Sequence, residues 1–299
     1  MQNAQEQLSE VRAYWGITVT EANESQRQFW NDKPGANWVR FYRDLDIMHH
    51  SVLEKLLDCA APEAGETVID IGCGAGTSSF ALAELVGPSG AVSGYDISEP
   101  LLTKAEERRA EKGVSNVSFH LADAQTADFD GSADLIVSRF GVMFFDDPEA
   151  AFANLHSAMR PGGRIVFITW AASEFNPWFS LARKIAVQHF GDLPDGDPDA
   201  PGPMSLCDID RGVNFLKAGG FADPVGEAVD LTLDHPDGWP ALRQLVPHIG
   251  PVGRFLRDCE VTQEQRAALF VDLDKAFGEY VTDTGISVPA RINVFSALA

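Results

Sequence analysis

The sequence predicts an α/β protein with a mostly parallel sheet covered on both faces. Between residues 67 and 170, short apolar runs alternate with helix-patterned stretches, as expected of successive βαβ units. One of those runs, Val68-Ile-Asp-Ile71, enters a loop with glycine at alternate positions, Gly72, Gly74 and Gly76, that opens a helix at Thr77. Helix ends between the runs are also readable. Ser98 caps a helix entering at Pro100, and Asp147-Pro148 opens another that stops at Arg160-Pro-Gly-Gly.

Taken in order, residues 1 to 60 read as helical. The clearest part is Asp44 to Leu57, with Leu45, Met48, Val52, Leu53, Leu56 and Leu57 on one stripe after an Asp44 cap. Strands are expected at 67–71, 91–96, 117–121, 133–138 and 164–170. After Trp170 the alternation breaks. Residues 172–206 combine Asn176-Pro-Trp178-Phe with a turn-rich run from Gly191 to Pro203, too long and polar for a simple connection. A core-facing helix at Asp208–Gly220, a strand at Val225–Leu233, a helical insert at about 236–283 and a last strand at Ile286–Ala297 complete the chain. The organisation is a helical N-terminal lid (1–60), a ligand-binding core (61–170), and the rest of the sheet with two cap inserts (171–299).

The glycine loop brings bare backbone close to a ligand. Asp96, twenty residues after Gly76 and at the end of the second strand, is placed to accept two hydrogen bonds from a ribose diol. A dinucleotide fingerprint would need its third glycine where Thr77 stands, and Asp70 would repel a phosphate. The expected ligand is therefore an adenosine compound without phosphate and with positive charge.

Asp70, Gly72, Gly74 and Gly76 together resemble the first motif of the class I S-adenosylmethionine-dependent methyltransferases. Three further stations agree: Asp96; Val117-Ser-Phe-His-Leu-Ala-Asp123; and Ala133-Asp-Leu-Ile-Val-Ser138-Arg-Phe-Gly-Val-Met-Phe144 followed by Arg160-Pro-Gly-Gly. The succession resembles the ubiquinone/menaquinone-biosynthesis-like branch acting on small molecules. The resemblance implies a Rossmann-like seven-stranded sheet with its last strand antiparallel, and S-adenosyl-L-methionine as methyl donor with S-adenosyl-L-homocysteine as product. It also implies that Asp96 holds the ribose, Ile97 lies against the adenine, Asp123 accepts from its amino group, the Ala124 N–H reaches a ring nitrogen, and Ser138 joins the same cleft.

Aromatic density in Phe29-Trp30 and Trp38-Val-Arg-Phe-Tyr42 suggests a lid whose rings face the sulfonium, with Trp30 and Trp38 as pocket candidates. Methyl transfer from a sulfonium is an in-line displacement and needs a base only for weakly acidic acceptors. Base candidates are His49, beside His50, and His248 in a Gly/Pro-rich stretch of the cap; His120 and His156 read as ordinary packed or surface residues. Arg139 is placed to pair with an acceptor carboxylate, and Phe140, Met143 and Phe144 to floor the acceptor pocket.

Composition limits the partners. Forty-four acidic against 23 basic residues, only seven of them lysine, give a formal charge of −21, which opposes nucleic acid and anionic membranes. Cys59, Cys73, Cys207 and Cys259 are dispersed without a Cys-x-x-Cys pair. Neither a metal site nor a disulfide framework is expected, and a reducing cytoplasm fits. No run of 18 apolar residues suggests a membrane span. The expected partner is a small-molecule acceptor, with a homodimer among the allowed assemblies. Two other functions compete: an NAD- or FAD-dependent oxidoreductase, and a non-catalytic module that binds an adenosyl ligand.

Overall fold

The structure is a computed structural model that describes residues 22–193 and 200–299. The expected helix at 1–21 and the centre of the turn-rich run lie outside the described residues. Strands β1 (Thr67–Ile71), β2 (Ala91–Asp96), β3 (Val117–Leu121), β4 (Ala133–Arg139) and β5 (Met159–Trp170) are joined by β6 (Ala222–His235), β7 (Val281–Thr282) and β8 (Gly285–Leu298). The sheet order is β3-β2-β1-β4-β5-β8-β6. Strands β1 to β5 pair parallel, while β8 runs antiparallel to both β5 and β6. The seven expected strands are present, and the two-residue β7 adds a short hairpin on β8. Because β1 lies between β2 and β4, the strand order reverses there, and the loops after β1, β2, β3 and β4 meet at one end of the parallel strands.

Among the described residues four helices precede β1: α1 (Glu24–Trp30), α2 (Lys33–Arg40), α3 (Tyr42–Met48) and α4 (His50–Ala60). The stripe predicted over 44–57 is buried at Leu45, Met48, Val52, Leu53 and Leu56, but the helix breaks at His49. Asp44 is not its cap. It lies in the first turn of α3, one helical turn from the Phe41 N-cap, with a carboxylate oxygen 3.3 Å from His235 Nε2. Helix α4 packs on β4, β5 and β6 and so belongs to the layer covering the sheet; α3 also packs on β6, and α2 packs on the helix Glu99–Lys112.

The connecting helices are α5 (Thr77–Val86), α6 (Glu99–Lys112) and α7 (Pro148–Ser157). Asp147 caps α7 as expected, accepting the Ala150 N–H at 3.0 Å. Ser98 is the N-cap residue of α6, but its hydroxyl donates outward to the Trp30 carbonyl at 2.8 Å. Beyond β5, the stretch before the turn-rich run, to which the sequence reading assigned no element, holds a 14-residue helix, α8 (Pro177–Phe190). Its proline occupies the first turn, where no N–H partner is needed, and Trp178, Ala182, Ile185 and Ala186 form a buried stripe at helical spacing. Helix α9 (Ile209–Ala218) precedes β6, and the second insert forms α10 (Gly238–Leu245), α11 (Pro251–Asp258) and α12 (Gln263–Gly278). The two inserts pack on each other: α8 packs on α11 and α12, Trp239 stacks on Phe277 at 4.7 Å, and Trp178 meets the same ring edge-on at 6.2 Å. Among the described residues no helix is long and apolar enough to cross a membrane.

Candidate active site

The three glycines after β1 have positive φ, 66°, 55° and 82°, which L side chains rarely adopt. Their surroundings differ. A Cβ on Gly72 would sit 2.6 Å from the Gly141 Cα, and one on Gly76 would meet Phe119 at 2.7 Å and Phe80 at 2.9 Å. A Cβ on Gly74 would meet nothing within 4 Å. Gly72 and Gly76 therefore serve close packing within the protein, and Gly74 alone leaves bare backbone facing open space. Gly141 is the partner that the sequence reading missed. Its own Cβ would lie 2.5 Å from the Ile71 carbonyl oxygen, so the β1 and β4 loops touch only because both residues are glycine.

Asp70 is fully buried. One carboxylate oxygen accepts the Ser78 and Ser79 hydroxyls at 2.7 and 2.6 Å, while Oδ1 has no partner, and burial raises its pKa. These bonds tie β1 to the start of α5. Ser138 is also bonded within the protein. Its hydroxyl donates to the Ile71 carbonyl at 2.8 Å and accepts from Gly141 and Val142 at 3.1 and 3.2 Å, which exhausts its capacity on the protein.

Asp96 and Asp123 retain free acceptor capacity. Asp96 Oδ2 accepts the Gly74 N–H and Oδ1 the Ser98 N–H, both at 2.8 Å, leaving a lone pair on each oxygen. Burial pushes its pKa up to about 6, with neighbouring Asp70 adding to the rise. Asp123 Oδ1 accepts the Gln125 N–H at 2.9 Å, and Oδ2 is buried without a partner. Ala124 is buried beside it, and Ile97 follows Asp96 with its carbonyl taken by the Asn31 side chain at 2.9 Å.

Aromatic rings fill the region past β4 and β5. Phe140, at φ 70°, stacks on Trp170 at 4.3 Å; His49 lies 5.5 Å from Phe140, 5.8 Å from Trp170 and 6.4 Å from Trp38. Trp30 contacts Trp38 and Phe144 edge-on, so the N-terminal rings do reach this end of the sheet. Met143 is buried in the short turn Val142–Phe144. Burial and the nearby Arg139 lower the His49 pKa to about 3, leaving it neutral and weakly basic at physiological pH. His248 sits instead at the junction of cap and lid, stacked on Phe41 at 5.4 Å, with its pKa lowered by burial, Arg40 and Arg266. His50 is exposed and pairs with Glu54, His120 stacks on Tyr95, and His156 meets Phe221 edge-on, all as ordinary packed or surface residues.

Arg139 follows this ring cluster in charge as well as position. Nη2 lies 3.8 Å from Asp46 Oδ1, while Nη1 is buried with no partner among the described residues. Asp46 also accepts the Thr77 hydroxyl at 2.6 Å and Arg108 at 3.0 Å, and Arg108 donates to the Ala75 carbonyl at 2.7 Å. These two residues brace the glycine loop from α3 and α6. The sequence reading passed over both, because nothing in the chain marks an aspartate on one helix as the partner of an arginine 62 residues later.

Residues 62–189 match a family described as a methyltransferase domain. Aklanonic acid methyltransferase DauC of Streptomyces sp. (strain C5) is 39% identical over 114 residues, 38% of this chain and 52% of the relative. A ubiquinone/menaquinone biosynthesis C-methyltransferase of Erwinia tasmaniensis is 30% identical over 140 residues, 46% of this chain and 55% of the relative. The chain thus spans about half the length of these curated relatives. Haemonchus contortus phosphoethanolamine N-methyltransferase 2, solved with S-adenosyl-L-methionine, superposes with a TM-score of 0.56 over 91% of this chain and 59% of that one, at 19% identity. That similarity establishes the Rossmann-like fold.

Proposed function

We propose that the chain is an S-adenosyl-L-methionine-dependent methyltransferase acting on a small anionic acceptor. The observation that carries the donor half is the pairing of a bare Gly74 backbone with two part-satisfied carboxylates at the ends of β2 and β3. The residues fit the group: Asp96 has a lone pair on each oxygen for ribose hydroxyls, and Asp123 Oδ2 is an orphaned acceptor for an exocyclic amino group. Ile97 and Ala124 flank the base, and Trp30 and Trp38 close over the donor from the N-terminal side. Bound there, the donor supplies a methyl group on a sulfonium, which is displaced in line and leaves S-adenosyl-L-homocysteine. The Thr77 departure from the dinucleotide fingerprint argues against NAD or FAD.

The acceptor half rests on Arg139 and His49. An arginine with a buried, unpartnered Nη1 suits an anion, and a histidine with a pKa of about 3 is a poor base at neutral pH. An acceptor that is already ionised, such as a carboxylate or acidic enol, fits both, with Phe140, Met143 and Phe144 as its apolar floor. The relatives' names, one for an acid and one for C-methylation in quinone biosynthesis, are compatible with such acceptors.

Calorimetry tests the donor half: S-adenosyl-L-methionine and S-adenosyl-L-homocysteine should bind with micromolar Kd or tighter, about 8 kcal/mol. Absence of heat at millimolar ligand rejects the reading. A screen of acidic metabolites and their neutral analogues with labelled donor tests the acceptor half, and methylation confined to neutral amines removes it.

A further inference from the structure

The two oxygens of Asp123 are not equivalent, and the difference traces to a residue outside every motif. Oδ1 accepts the Gln125 N–H and also the side-chain amide of Asn23, each at 2.9 Å. The same amide donates to Gln125 Oε1 at 3.2 Å, while Asn23 Oδ1 accepts the Asp146 N–H at 2.6 Å. Gln125 Oε1 accepts the Asp147 N–H at 3.0 Å. Backbone N–H groups only donate, so the Asp146 and Asp147 amides fix which end of Asn23 and of Gln125 is oxygen, and the direction of the whole network follows. Asn23 is 4% exposed and sits at φ 52°, immediately before α1.

Helix α1 is fastened at its other end as well. Asn31 Nδ2 donates to the Ile97 carbonyl and Asn31 Oδ1 accepts the Glu99 N–H, both at 2.9 Å, and the Trp30 carbonyl accepts the Ser98 hydroxyl at 2.8 Å. The helix is a strap across the loops after β2 and β3, with Asn23 presented at one end.

We propose that Asn23 is a specificity-determining residue of the nucleobase end: by donating to Asp123 Oδ1 it leaves Oδ2 as a pure acceptor, which selects a base carrying an exocyclic amino group over one carrying a carbonyl at that position. The inference rests on the donor site proposed above. A carbonyl on the base would set acceptor against acceptor unless Asp123 were protonated. Burial favours that protonation, and the hydrogen bonds from Gln125 and Asn23 oppose it. Asn23 positions and polarises the carboxylate without itself reaching the base.

Calorimetry on the full chain with S-adenosylhomocysteine and its 6-oxo analogue, S-inosylhomocysteine, tests this. The unsubstituted protein should prefer the amino compound by about 30-fold or more, the range of a hydrogen bond to a charged group. Asn23→Gly removes the amide while tolerating φ 52°, and should cut that preference to about fivefold or less, mostly by weakening the amino compound. Asn23→Ala removes the donor without adding a charge beside Asp123, and should do the same. It decides the matter should the glycine variant fail to fold. Equal weakening of both ligands, an unchanged ratio in either folded variant, or no preference in the unsubstituted protein overturns the inference. Failure of the unsubstituted protein to bind either compound instead rejects the donor reading.

Discussion

At the ends of β2 and β3, Asp96 and Asp123 are aimed by backbone N–H groups two residues further on, those of Ser98 and Gln125. At the ends of β4 and β5, by contrast, Arg139, Phe140 and Trp170 are held by ring packing and burial against His49 and Asp46, which arrive from the N-terminal helices. The first arrangement is local, uses groups every chain possesses, and fixes direction to within a hydrogen bond. The second depends on which side chains meet.

The sharpest test lies within the loop itself. Gly72→Ala adds a Cβ at positive φ and 2.6 Å from the Gly141 backbone, so a loss of roughly 2 to 5 kcal/mol of stability is expected. Gly74→Ala meets open space and should lose only the backbone part, about 1 to 2 kcal/mol. Thermal melts of the pair check this, and equal melting temperatures would show that the β1–β4 contact is not as tight as described.

Asp96 comes next. Asp96→Asn should weaken S-adenosylhomocysteine binding by about 1.5 to 3 kcal/mol because the ribose hydroxyls lose a charged acceptor. The unsubstituted protein should also bind more weakly as pH falls through about 6, since a protonated Asp96 must release its proton to accept both hydroxyls. Stability of the unliganded protein should move the other way. A carboxyl with its pKa raised in the folded state contributes stability that is fully present below its ordinary value of 3.8 and is lost as pH rises through about 6. Calorimetry and melts between pH 5 and 8 read both, and a pH-independent Kd that persists in the unsubstituted protein contradicts the role given to Asp96.

The same contrast explains what the sequence disclosed. Strand spacing, the glycine loop and the aspartates closing β2 and β3 were legible because the reasons for them lie within a few residues along the chain. The bonds of Asp70 to Ser78 and Ser79 were not legible, because the chain alone gives no sign of them. Helix α8 escaped because Pro177 reads as a turn until it is recognised as a first-turn proline, although the Trp178-Ala182-Ile185 spacing was present. The break at His49, the Asn23 network and the Asp46 bridge to Arg108 and Thr77 depend on contacts between segments that nothing in local periodicity connects.

Arg139 sharpens the comparison from the acceptor side. Arg139→Met keeps length and removes the charge, so turnover of an acidic acceptor should fall by about 10- to 100-fold while the donor Kd changes by less than about threefold. If instead the donor Kd rises by the same factor, Arg139 serves the donor's own carboxylate and the division between the two ends shifts by one residue.

His49 should matter least. Its pKa of about 3 keeps it neutral across the working range, and a base that weak gains little by taking a proton from any acceptor. His49→Phe preserves a ring among Trp38, Phe140 and Trp170, so turnover should stay within about fivefold and its pH profile should be unchanged. Stability gives a second readout. Because burial depresses this pKa below the ordinary 6.5, the unfolded chain binds the proton more readily, and the folded state loses stability as pH falls below 6.5 toward 3. The phenylalanine variant should lose less on moving from pH 8 to pH 5 than the unsubstituted protein does. A variant that folds but turns over a hundredfold more slowly would make His49 a base after all, and would imply that donor binding brings water or charge to a ring that is buried in this structure.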